Sequence, residues 1–263
     1  MAIEAVIFDW AGTTIDYGSR APLLAFQQTF ASFGVDLAEA TIRRDMGMDK
    51  MAHIHQLLKD ERVRTTLAGR LNQTSVDDLA VSIFAAFKRN LLAVLPTRAA
   101  LKPGVRDLIA YLEANNIAYG TTSGYDADMI AALLPLVAAQ GYHPQVNITA
   151  ADTGIGRPDP AMNRLAMGRL NVHDPARTII VGDTLNDIRA AQAAGANAVG
   201  VIEGANLLAL GQDQWAALPT AERQALRLAA RRQYAAAGAD LIVDNARDLM
   251  KLMQSEAAVE VTE

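Results

Sequence analysis

A run of β-branched and aromatic residues, Ala5-Val6-Ile7-Phe8, delivers one carboxylate, Asp9, into the turn Trp10-Ala11-Gly12-Thr13-Thr14. Apolar runs of this length without polar alternation are strands buried on both faces, the signature of a parallel sheet covered by helices. Such sheets gather their chemistry at the carboxyl ends of the strands, so Asp9 stands where a nucleophile would be presented. Later segments at residues 117–121, 146–149, 177–181, 198–201 and 241–243 repeat the pattern, with helical periodicity at 104–115, 126–139, 160–170 and 187–194 between them. The alternation predicts an α/β fold with a Rossmann-like, mainly parallel sheet.

Residues 21–95 break the alternation. They carry helical periodicity, no strand and few glycines, interrupted at Met46-Gly47-Met48-Asp49-Lys50. They predict an α-helical cap domain, residues 18–96, inserted after the first strand of a catalytic core built from 1–17 and 97–263. The last residues, 255–263, read as a frayed end.

Composition narrows the function classes. A net charge of −5 with scattered Lys and Arg gives no footprint for nucleic acid or an anionic membrane. The longest apolar run, residues 129–139, is too short to span a bilayer. The first strand starts at once, so no signal peptide is expected ahead of it. The absence of cysteine removes disulfides, thiol catalysis and Cys-based zinc sites, and fits a cytoplasmic protein.

Four polar clusters each sit past an expected strand: Asp9 to Thr14, then Thr121-Thr122-Ser123-Gly124-Tyr125, then Gly156-Arg157-Pro158, then Gly182-Asp183-Thr184-Leu185-Asn186-Asp187. A parallel sheet brings these clusters to one edge. Asp9 and Asp183 suit a hard cation such as Mg²⁺ that shares its oxygen ligands with a phosphate. The Ser123 hydroxyl, the amides near Gly12 and Gly124 and the cation Arg157 suit a transferring phosphoryl group. Asp187, four residues after Asp183, shares its face if a helix starts there. Taken alone, Lys50 would be a solvated lysine, His53 a helix-surface residue and Tyr125 a packing residue.

Four such clusters in this order resemble the haloacid dehalogenase superfamily of aspartate-nucleophile phosphotransferases, and the resemblance covers the whole chain. Phosphatases of that superfamily carry a second aspartate two residues after the first, as the acid for an alkoxide leaving group. This chain has Ala11 there. Asp9-Trp10-Ala11-Gly12-Thr13-Thr14, the Met46-Gly47-x-x-Lys50 element and Arg157 in place of the usual lysine resemble the phosphonatase branch, which cleaves a carbon–phosphorus bond.

That resemblance implies hydrolysis of phosphonoacetaldehyde to acetaldehyde and phosphate in 2-aminoethylphosphonate degradation. It implies a Schiff base on Lys50, an aspartyl-phosphate on Asp9, and His53 and Tyr125 as proton relays. Met46, Gly47, Gly12, Thr13, Ser123, Gly124 and Arg157 would bind the substrate or its phosphoryl group, Arg157 alternatively bracing Asp9. Mg²⁺ would be held by Asp9, the Ala11 carbonyl and Asp183, with Asp187 in its surroundings. The resemblance also implies a homodimer. Ser123 stands where threonine is often found, and Asp45 where relatives often have proline; Asp45 is expected to point outward, away from Lys50. The competing readings are a Mg²⁺-dependent phosphomonoesterase or phosphomutase, which Ala11 disfavours, and a non-catalytic phosphometabolite-binding protein, which the retained Asp9, Asp183, Arg157 and Lys50 disfavour.

Overall fold

A computed structural model, described over residues 2–260, forms one six-stranded sheet. Its strands are β1 (Ala5–Phe8), β2 (Ala118–Ser123), β3 (Asn147–Thr149), β4 (Thr178–Gly182), β5 (Asn197–Val201) and β6 (Leu241–Val243). They run in the order β3-β2-β1-β4-β5-β6, and every neighbouring pair is parallel. The order reverses between β1 and β4, which opens a crevice beyond their carboxyl ends. Phe8 pairs with both Thr121 and Val181, so Asp9, Ser123 and Asp183 emerge along one edge.

Between β1 and the next strand lie α1 (Arg20–Ser32), α2 (Glu39–Arg44), α3 (Lys50–Leu57), α4 (Glu61–Leu71), α5 (Val76–Val94) and α6 (Val105–Ala114). The breaks follow capping chemistry. Asp49, Asp60 and Ser75 accept hydrogen bonds from backbone amides at the starts of α3, α4 and α5. After β2 come α7 (Ala127–Ala138), α8 (Ala150–Thr153), α9 (Ala161–Arg169), α10 (Leu185–Ala194), α11 (Gln212–Ala217), α12 (Thr220–Ala236) and α13 (Ala246–Glu260).

Alternate residues of β1 feed two cores, as the pleat requires. Val6 and Phe8 pack with α6, α7 and α13 and with the helices after β1; Ala5 and Ile7 pack with α9, α10 and α12. The sequence reading found no apolar run of membrane-spanning length, but α5 with its following turn, Val76–Thr97, meets that length and composition. It is a core helix: Leu79, Ile83, Phe87 and Leu91 are buried, and the Phe87 ring lies 4.3 Å from that of Phe26 on α1.

The differences from the sequence expectation are local. β2 continues to Ser123, and α10 begins two residues early because Thr184 and Asp187 form a reciprocal cap. The single-turn α8 is too short for its periodicity to be read, whereas α13 carries apolar residues at helical spacing, Ala246, Leu249, Met250 and Met253, and adds an element the sequence expectation lacks. Helix α13 runs through Glu260 where fraying is expected, and residues 261–263 lie outside the described chain.

Candidate active site

Asp9 leaves β1 buried, its amide donating to Val181 O at 2.9 Å. The turn after it is wound tightly, with the Thr14 and Ile15 amides both donating to Trp10 O. Gly12 sits at φ +91°, and a Cβ there would lie 2.0 Å from Asp183 Oδ2, so this position takes only glycine. The Trp10 indole donates to Thr121 Oγ1 at 3.0 Å and packs on Tyr142, which fixes the carboxylate's base.

Asp183 follows β4 and is fully buried. Its Oδ2 accepts from the Asn206 amide at 2.7 Å and lies 3.0 Å from Ser19 Oγ; Thr13 Oγ1 approaches Oδ1 at 3.4 Å. The one Ser19 proton has a second acceptor, Ala11 O, at 2.8 Å. Asp187 Oδ2 accepts from the Thr184 hydroxyl at 2.6 Å and the Thr184 amide at 3.0 Å. Its Oδ1 lies 2.6 Å from Arg157 Nη1.

Arg157 is 3 % exposed, and its contacts set its role. Nη1 also donates to Asp9 Oδ1 at 2.6 Å, while Nη2 donates to Thr122 O and Thr122 Oγ1. The guanidinium is thus held between the carboxylates of Asp9 and Asp187 and the backbone and hydroxyl of Thr122.

Asp9, Asp183 and Asp187 each offer a carboxylate oxygen within 4.8 Å of the others. Burial raises the pKa of Asp9, opposed by Arg157 and reinforced by Asp187. Burial also raises that of Asp183, reinforced by the charges of Asp9 and Asp187. Three buried carboxylates with oxygens this close are a donor set matched to a hard divalent cation.

Lys50 opens α3 and is 4 % exposed. Its ammonium donates to Met48 O at 3.1 Å and lies 5.8 Å from the centre of the Tyr125 ring. Burial lowers its pKa to about 8, a shift that Asp9 and Asp49 partly oppose. Lys50 and Asp9 line the same pocket, together with Ala11, Ser19, Met46, Gly47, Ser123, Gly124, Tyr125 and Asp183. The Tyr125 hydroxyl is buried there without a partner, and burial keeps the phenol protonated. Ser123 Oγ accepts from the Tyr125 amide at 3.0 Å, leaving its own proton to donate.

His53 sits one turn beyond Lys50, fully buried and packed at a tilt of 52° against Phe26 with ring centres 4.4 Å apart. Burial, then the charge of Lys50, lowers its pKa to about 3, so the imidazole is neutral. Its two nitrogens have no hydrogen-bond partner, and it stands behind Lys50 rather than on the pocket wall. Asp45 is partly buried and pairs with Arg44 at 3.1 Å.

Glycines permit the close approach of helical segment to sheet. A Cβ on Gly47 would meet Thr184 Oγ1 at 2.3 Å, and one on Gly124 would meet Met48 O at 2.2 Å. Asn186 Nδ2 donates to Met46 O at 2.9 Å across the same seam.

Ser19, Asn206 and Lys102 were not among the sequence candidates. Buried Lys102 donates its ammonium to Gly12 O and packs its charge over the Tyr17 ring. None of the three belongs to a motif; each reaches the site through the tertiary fold alone.

The comparisons agree with this geometry. The family model for haloacid dehalogenase-like hydrolases matches residues 3–195. The chain is 46 % identical to a phosphonoacetaldehyde hydrolase from Lactiplantibacillus plantarum over 96 % of both proteins. It is 36 % identical to one from Latilactobacillus sakei over 95 % of both. A solved structure of a phosphonoacetaldehyde hydrolase-like protein from Oleispira antarctica superposes with a TM-score of 0.91 at 32 % identity, covering 97 % of this chain and 92 % of that one. Sheet order, site and similarity together make the chain a member of the haloacid dehalogenase-like hydrolases, within their phosphonoacetaldehyde hydrolase branch.

Proposed function

We propose that this protein hydrolyses the carbon–phosphorus bond of phosphonoacetaldehyde through an imine on Lys50 and an aspartyl-phosphate on Asp9. The observation that carries the reading is one pocket holding both a depressed-pKa lysine and a strand-end aspartate, with Ala11 where an alkoxide's acid would stand.

A phosphorus–carbon bond breaks heterolytically only if the carbon can carry the electron pair. Lys50 condenses with the substrate aldehyde, losing one water, and the protonated imine becomes an electron sink beside that carbon. A pKa of about 8 leaves about a tenth of Lys50 neutral at pH 7, against under one in a thousand for an ordinary lysine. An Asp9 oxygen attacks phosphorus as the P–C electrons move into the iminium, giving an enamine on Lys50 and a phosphate ester on Asp9. Water then cleaves that ester. Protonation at carbon followed by hydrolysis frees acetaldehyde and restores the lysine. No alkoxide leaves, so no acid is needed at position 11.

Arg157 holds Asp9 in its attacking position, and Ser123 Oγ and the Tyr125 hydroxyl supply donors to the substrate. Neutral His53 and Tyr125 serve proton transfers around Lys50, and neutrality of His53 adds no repelling charge beside the imine. Met46 and Gly47 close the pocket over the aldehyde end. Mg²⁺ fits Asp9, the Ala11 carbonyl and Asp183; Asp187, with both oxygens engaged by Thr184 and Arg157, orients that set. When bound, the cation neutralises charge on the transferring phosphoryl group.

Residues 18–96 act as a mobile cap over a core of 1–17 and 97–263, opening for exchange of substrate and product. The protein works as a cytoplasmic homodimer on a small phosphonate. Borohydride added during turnover should reduce the imine and inactivate the enzyme, with the added two-carbon mass mapping to Lys50. Unlabelled Lys50 with turnover unaffected by borohydride would reject the imine.

A further inference from the structure

We infer that Arg43 and Asn206 form a latch through which docking of the helical segment fixes the orientation of Asp183. The inference rests on the reading of Asp183 as a metal ligand beneath a mobile cap. Asn206 lies in the loop after β5 and is 5 % exposed. Its backbone amide donates to Asp183 Oδ2 at 2.7 Å, the shortest bond that carboxylate receives. Its side chain exchanges hydrogen bonds with one residue of the helical segment: Arg43 Nη1 donates to Asn206 Oδ1 at 2.9 Å, and Asn206 Nδ2 donates to Arg43 O at 3.1 Å.

Arg43 lies in the last turn of α2, seven residues before Lys50, and is itself buried. Glu39, one turn earlier, holds its Nε at 2.6 Å, which fixes the guanidinium before it docks. The same Nη1 that reaches Asn206 also donates to Gly18 O at 2.9 Å. Gly18 precedes Ser19, whose hydroxyl lies between Ala11 O and Asp183 Oδ2. One buried guanidinium therefore ties the core loop after β5 to the Gly18–Ser19 hinge where the helical segment begins, and each of these contacts Asp183 Oδ2. Undocking α2 would leave both without their shared donor, and Asp183 would lose its fixed direction. Docking would restore it at the moment Met46, Gly47 and Lys50 reach the pocket. Arg43 and Asn206 are positioning residues: neither lines the pocket that holds Asp9 and Lys50.

The test measures Mg²⁺ binding by calorimetry with and without inorganic phosphate, the probe that occupies the phosphoryl position and favours docking. In the wild-type protein phosphate and Mg²⁺ should tighten one another's binding by a common factor, as linkage requires. Arg43→Met and Asn206→Leu should each reduce that factor by about fivefold or more, and the double variant should lose no more than either alone. Arg43→Lys keeps the charge but not the forked geometry and should lie between, which preserves the test if the methionine variant does not fold. Variants that keep the wild-type factor, or a wild-type protein with no coupling, would overturn the latch. Asp183→Asn binding Mg²⁺ as tightly as wild type would instead remove the metal reading beneath it, and the latch with it.

Discussion

In the proposed mechanism three positions decide the chemistry: Asp9, Lys50 and Ala11, where the acid for an alkoxide is absent. Asp9 and Lys50 come from segments that share no element, and burial shifts both toward their neutral forms. The shift matters in opposite ways. A neutral amine is the reactive form of Lys50, whereas Asp9 must be ionised to attack, and Arg157 at 2.6 Å favours that ionised form. With Lys50 at about 8, kcat/KM should climb with pH through neutrality and level off above about pH 8. A flat profile from pH 6 to 9 would mean that Lys50 does not act as a free amine. Asp9 and Asp183 were legible because each directly follows an apolar run that only a strand explains, whereas Arg157 lies eight residues past β3, beyond α8. Ser19, Asn206 and Lys102 were not legible, because hydrogen bonds spanning up to 164 residues bring them in and no local pattern records such contacts.

At the scale of elements, the six strands could be read because parallel strands buried on both faces leave unbroken apolar runs in the sequence. The break at Met46–Lys50 could be read as well, but what it meets could not. Gly47 and Gly124 have their meaning only across the seam, where a side chain on either would strike the opposing backbone or Thr184. Gly124 is the cleaner probe, since Gly47 sits at φ +89° and would also be strained. Gly124→Ala should lower kcat/KM by about 10²-fold by holding Met48 and Lys50 off the sheet edge, with little change in melting temperature. Steady-state kinetics beside a thermal melt separates the two effects; wild-type kinetics in that variant would show the seam need not close so tightly.

For the whole molecule, the site is a local cost to folding until a cation enters. Asp9 and Asp183 have raised pKa values in the folded chain, so that state binds more protons than the unfolded one above the ordinary carboxylate range. Stability from these two groups therefore falls as pH rises through that range toward neutrality. Mg²⁺ held as proposed would bind their ionised forms and should reverse the loss, raising the melting temperature by several degrees at pH 8 and by less at pH 5. A calorimetric scan at the two pH values checks this; an equal rise at both, or none, would argue against a carboxylate-held metal. The same assembly of one nucleophile, one brace and one amine under a docked helical segment makes the central claim testable in one assay. Wild type, Lys50→Arg and a simple phosphomonoester are compared with Mg²⁺ present, and acetaldehyde and phosphate are quantified together. The account predicts equal acetaldehyde and phosphate from phosphonoacetaldehyde, a loss of about 10²–10⁴-fold or more in Lys50→Arg, and negligible phosphate from the ester. Brisk ester hydrolysis that survives Lys50→Arg, with no acetaldehyde from the phosphonate, would contradict it.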